Sequence, residues 1–308
     1  MEPYVIRSQH TVVELWSGYR IQFGGMERHD WQKALKRELK QALARLPLAD
    51  GQPFCGFYDS TDGRVADAEN SLFTNLLESM PAAVKAMRFD QGRGEVPAPP
   101  VPIDLIGGHL HYYRYSVGDR WCAWEPGEVV ARWHRVPRRL PDDGSARPVW
   151  FALREALVAG VVQSPLGHLE PKGQFGLRLT VHATKMGPRN AISYSERLVD
   201  GTIAAFHNDR CFPELLELLT PKFPAVTEDE LRRALDWPGV PLFDTPAILA
   251  RPGFVQISPA DERCRAGELT ITPDSASRWP ELSGEIFAVR PIQHRSSDID
   301  RAAAKGEL

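Results

Sequence analysis

The chain has no long apolar run. Its longest hydrophobic stretches are strand-sized, which excludes a membrane-spanning helix as an expectation. It also lacks an excess of charge of either sign. Over 308 residues the formal net charge is −3, so no global basic field exists to hold nucleic acid, and any such contact must use a local patch. Cysteine is scarce: Cys55, Cys122, Cys211 and Cys264 are scattered without a Cys-x-x-Cys pair, a pattern of reduced thiols rather than of a disulfide framework. The opening Met1-Glu2-Pro3-Tyr4-Val5-Ile6-Arg7 has no basic start followed by an apolar core, so no secretory signal is visible and the expected location is cytoplasmic. A phosphate-cradling glycine loop, a Gly-x-Ser-x-Gly elbow, a His-Glu-x-x-His helix and the glycine-rich dinucleotide fingerprint are all missing. Those absences disfavour nucleotide hydrolysis, elbow-type hydrolases and dinucleotide chemistry.

What is present is an ordinary globular composition, 43% hydrophobic and 25% charged, arranged as one pattern written twice. The first half reads Trp31, Ala34-Leu35-Lys36-Arg37-Glu38-Leu39, Pro47-Leu48 and Phe54-Cys55-Gly56-Phe57, then a polar turn and a helix-like run from Asp67. The second reads Trp150, Ala152-Leu153-Arg154-Glu155-Ala156-Leu157, Pro165-Leu166 and Phe175-Gly176-Leu177, then a basic turn and a helix-like run through Asp200. Each half therefore predicts helix, strand, turn, helix, then β-rich extension. The expected fold is α+β or α/β, two related halves, each a mixed sheet packed by helices with additional strands. The Pro-rich 137–144 segment sets the expected boundary between residues 1–140 and 141–308. Asp30 is expected to cap a helix over 31–46, and Thr227, three residues before Glu230, has capping-box spacing. Short strands are expected over 109–117, 121–124 and 128–136, with a Pro126-Gly127 turn joining the last two.

Several stretches carry candidate chemistry. In Arg64-Val65-Ala66-Asp67-Ala68-Glu69-Asn70, two carboxylates and a carboxamide meet at a helix entry, where hard oxygen ligands suit one Mg²⁺. Asp67 is equally suited to an N-cap and Glu69 to the first helical turn. Downstream, Asp200 inside a helix and Asp209 just past its end are further candidate acids. His109 and His111, with His134, make a weaker candidate metal set. A basic cluster interleaved with aromatics, Arg114, Arg132, Trp133, Arg135, Arg138 and Arg139, joins Lys185 and Arg189 as a candidate surface for DNA or RNA. The bland alternative is a charged sheet face beside a basic linker.

The turn and the second helix together resemble the bacterial and phage Holliday-junction resolvases of the RusA type. Arg64, Asp67, Glu69 and Asn70 are similar to that family's Arg-x-x-Asp-x-Asp-Asn turn, and Leu198-Val199-Asp200-Gly201 with Asn208-Asp209 to its helix end and acid pair. The resemblance implies a small α/β fold, Mg²⁺ held by Asp67 and Glu69, catalytic roles for Asp67, Glu69, Asn70, Asp200 and Asp209, and action on branched DNA. Because those enzymes are homodimers, a tandem copy would be a single-chain pseudo-dimer. The family's lysine position falls on Phe73 in one half and Glu196 in the other, and the second half's turn reads Asn190-Ala191-Ile192-Ser193. Two functions are therefore expected: a divergent nucleic-acid-binding, nuclease-like protein with a partial Mg²⁺ site, or a non-catalytic subunit without cofactor that binds a protein partner in a larger bacterial assembly.

Overall fold

The computed structural model describes residues 1–63, 67–118, 121–184, 190–274 and 276–293. In chain order the elements are β1 (Tyr4–Ser8), β2 (Val12–Ser17), α1 (Trp31–Leu43), β3 (Phe54–Ser60), α2 (Ala68–Leu72), β4 (Ala86–Gln91), β5 (His111–Val117), β6 (Trp124–Pro137), α3 (Arg147–Val158), β7 (Phe175–Ala183), α4 (Ile192–Ala205), α5 (Pro213–Leu219), α6 (Glu228–Leu235), β8 (Ile248–Arg251), β9 (Phe254–Ile257), β10 (Cys264–Pro273) and β11 (Glu281–Pro291). Short 3₁₀ turns at Thr74–Ser79 and Asp261–Arg263 follow α2 and precede β10.

The fold is α+β. Nine strands form one mixed sheet in the order β1-β2-β5-β3-β4-β10-β7-β11-β6, and β8 and β9 make a separate hairpin. At the centre β4 and β10 pair antiparallel. Moving outward, β3 and β7 each pair parallel with the central strands, β5 and β11 antiparallel with those, and β2 and β6 antiparallel again. From β2 and from β6 the chain thus runs strand, helix, strand, helix, strand, strand, with β1 added before the first run and α5 to β9 inserted in the second. Sequence spacing placed β6 in the first half and split it at Pro126-Gly127. Instead it is a single bulged strand at the sheet's far edge, paired with β11. An edge position explains this, because Pro126 lacks an N–H that a central strand would need.

One parity of strand residues, including Leu15, Phe54, Phe89, Tyr115, Leu177, Leu269 and Ile286, joins the buried faces of α1 to α4 in one continuous core. Period-2 alternation on the strands and helical spacing on the helices bring those side chains to one layer. The opposite sheet face carries a transverse row of alternating charge. Arg7, Glu14 and Arg114 are register partners, as are Arg88, Glu268, Arg178, Glu285 and Arg132.

Local expectations hold in part. The Thr227 capping box forms with Glu230. By contrast, Asp30 makes no side-chain cap bond and α1 stops at Leu43. No described helix is long and apolar enough to cross a membrane. Among the described residues no disulfide joins the four cysteines.

Candidate functional site: a carboxylate cluster at one end of the sheet

Asp67 begins α2 in extended backbone, and its Oδ1 accepts the Asn70 amide at 3.2 Å while Oδ2 accepts from the Asn70 side chain. It is therefore the N-cap that its residue type favours. Its carboxyl also lies against that of Asp261, at the 3₁₀ turn before β10, and the two act on each other's protonation. Two residues on, Glu69 is 1% exposed, and its Oε1 accepts from the Ser195 hydroxyl of α4. Beyond Ser195, α4 presents exposed Glu196 at the next position and half-buried Asp200 a little over one turn on. The two helices are in contact, and Asp200 feels the charges of Asp261, Asp67 and Glu196.

Burial pushes all four inner carboxyls up. Asp261 rises to about 7 through burial and then through Asp67 beside it. Glu69 and Asp200 stand well above the usual carboxylate range, again from burial first and neighbouring acids second, and Asp67 is raised by burial. None of the charges acting most strongly on these groups is positive. Like charges gathered in a partly buried cluster favour bound protons or a cation. Among the described residues no three His, Cys, Asp or Glu side chains are arranged to hold a metal ion by themselves.

The structure thus brings together Asp67, Glu69, Asn70 and Asp200 from the expected set, across both halves. Asp209 lies elsewhere. Its Oδ2 pairs with Arg154 of α3 at 3.0 Å, and its Oδ1 accepts the amides of Ala247 and Ile248 at 2.8 and 2.9 Å. Both oxygens are committed to structure. In the second half Asn190 Oδ1 accepts the Ile192 amide before α4 and its Nδ2 donates to the carbonyls of Pro81 and Ala82, so its polar group is used on backbone. His111 is buried against Tyr58 and Ser60, with its Nδ1 3.0 and 3.1 Å from their hydroxyls, and His134 is exposed on β6. Arg64, Lys185 and Arg189 lie outside the described residues.

The expected basic surface is not an open patch. Trp133 is 3% exposed and packs on Phe206, so it offers no stacking face. Arg132 pairs with Glu285 at 2.9 Å, Arg135 with Glu281 and Asp274, and Arg139 with Glu155 and Glu230 at 2.5 and 2.9 Å. Arg138 is buried over the Tyr194 ring, and Arg114 faces Glu14 across the β2–β5 register while donating to Cys122 Sγ at 3.7 Å. Glutamates on β11 and acids near it, far away in sequence, answer the arginines of β6.

Sequence reasoning missed Asp261, Ser195 and Glu196 as members of the cluster. Asp261 sits in an inserted segment with no local motif, and only the sheet order returns it to Asp67. Two clefts are of note, and the first shares Glu196 and Asp200 with the cluster. One, of about 330 Å³, is lined by Glu196, Asp200, Arg197, Lys222, Trp150 and the β8–β9 hairpin. The other, of about 370 Å³, lies at the sheet end among Ser60, Gly92, Gln91, Trp124, Gln174 and Arg265.

Fold and site define an α+β protein with a shared sheet and a partly buried carboxylate cluster built from both of its sides. No family model matches the chain, and neither a curated protein nor a solved structure matches it.

Proposed function

We propose that the cluster is a divalent-cation site and that the protein acts on nucleic-acid phosphodiesters, as the likeness to RusA-type resolvases implies. One observation carries this: Asp67, Glu69, Asp200 and Asp261 converge from distant segments with no cation among the charges that act on them most strongly. The donor set is oxygen only, which suits Mg²⁺ rather than softer metals, and Mg²⁺ commonly takes one or two carboxylates and keeps its other ligands as water. Asp67 and Asp261 would hold it, with Glu69 and Asp200 as the further acids of the cluster. When bound, such an ion supplies charge neutralisation and activation of water. Ser195 keeps Glu69 oriented, and Asn70 holds the Asp67 carboxylate in place. A cytoplasmic location belongs to the same proposal.

The test is cleavage of branched and linear DNA and of RNA, with and without Mg²⁺, comparing wild type with Asp67→Ala. Mg²⁺-dependent cleavage that the substitution abolishes is the expected result. A second reading, a non-catalytic subunit bound to a protein partner, is favoured by the arginines of β6 being committed to glutamates and aspartates. Failure to bind DNA or RNA even at low salt would leave only that reading.

A further inference from the structure

The cleft at the sheet end has a buried cation at its wall. Arg265 is 9% exposed at the start of β10, yet its hydrogen-bond partners are neutral amides. Its Nη1 donates to Gln91 Oε1, and with the Gln174 amide oxygen turned toward it, Nη2 and Nε donate at 3.0 and 3.1 Å. Glu262, the acid whose charge it feels, is exposed. A guanidinium taken out of water without a counter-charge is costly, and its planar fork still has donors to spare.

The surroundings fit a small oxyanion. The cleft forms where the carboxyl ends of parallel β3 and β4 meet the amino ends of β7 and β10. Asp59 also lines it, but that carboxylate is already held by the amides of Ser60 and Gly94 at 2.8 and 2.9 Å. Of the two arginines that line the cleft, Arg93 is exposed and 3.9 Å from Glu95, so anion recognition falls to the buried Arg265. The cleft is next to the acid cluster along the chain: Gly63 lies four residues before Asp67, and Asp261 four residues before Arg265. Between the last two, Cys264 feels the charges of both Asp67 and Asp261.

We propose that Arg265 seats a phosphodiester group of the substrate, beside the carboxylates. This rests on the nucleic-acid reading above and names where its phosphate is held. Gln91 and Gln174 act as positioning residues that aim the guanidinium.

The test uses the full chain in EDTA, so that it does not depend on a metal. Thermal unfolding is followed against inorganic phosphate and against a thymidine dinucleotide, with chloride at matched ionic strength as reference. Wild type should show a saturable rise in Tm with both probes. Arg265→Gln should weaken both affinities about tenfold or more, the scale of one charge-assisted hydrogen-bonding group, and Arg265→Lys should retain part of the effect. If Arg265→Gln does not fold, Gln174→Ala, which leaves the charge but frees its aim, should weaken binding less. No saturable shift in wild type, a shift with phosphate but not the dinucleotide, or undiminished binding in Arg265→Gln each overturns the proposal. Dinucleotide binding without any Mg²⁺-dependent cleavage overturns the functional reading alone, and cleavage without Arg265-dependent binding overturns this inference alone.

Discussion

Asp90 lies on β4 with 2% of its surface exposed, its Oδ2 accepting the Cys122 amide at 2.5 Å and its Oδ1 buried with no hydrogen-bond partner among the described residues. Burial pushes its carboxyl from 3.8 up to about 7, against the pull of two amides and Arg88. The folded chain therefore holds this proton more tightly than the unfolded chain, so its contribution to stability is complete below pH 3.8 and is lost as pH rises to about 7. At ~1.4 kcal/mol per pH unit, the loss amounts to a few kcal/mol. Asp90→Asn keeps an uncharged group of the same shape. It should be more stable than wild type at pH 8 and should flatten the fall in stability between pH 5 and pH 8, read from urea unfolding; an unchanged pH profile would contradict the assignment.

At the scale of elements, the Arg154–Asp209 pair ties α3 to the segment after α4 and to the start of β8. The side chains are 1% and 0% exposed, and the carboxylate also takes two amides. Asp209→Ala leaves the Arg154 guanidinium buried without its counter-charge, at a cost of ~3–5 kcal/mol. Chemical denaturation should show that loss, while metal binding by the folded variant should be unaffected. Retained stability would mean that Asp209 is not the strut described. In sequence Asp209 looked like Asp200, an acid near a helix end. Nothing local distinguishes them, because what separates them is Arg154 and the Ala247 and Ile248 amides, all more than thirty residues away. The helix-entry acids were legible for the opposite reason: Asp67 caps through Asn70 within one turn, and capping is a local interaction. Strands with arginines were legible by alternation, but not their glutamate partners, since pairing of β6 with β11 spans most of the second half.

For the whole molecule, the repeated order of elements around β4 and β10 is what duplication and fusion of one unit would produce. The nine strands form one continuous sheet rather than one sheet per half. Cutting at residue 140 would strand β6 away from β11 and bare the β4 edge, which pairs with β10 in the intact chain. Open edges of this kind invite association. Residues 1–140 and 141–308 made separately should be aggregated or unfolded, and co-expression should restore a folded complex; two stable monomeric halves by size-exclusion chromatography and circular dichroism would refute this.

The carboxylate cluster is likewise a property of the whole molecule, because α2, α4 and the turn before β10 meet only when the sheet is closed. Calorimetric titration with Mg²⁺ and Mn²⁺ at pH 7.5 therefore tests the account most directly. Wild type should bind one ion per chain with release of protons from the raised carboxyls, and Asp67→Ala or Asp261→Ala should lose binding while Asp209→Asn keeps it. Binding that is absent in wild type, or unchanged in both cluster variants, would contradict it.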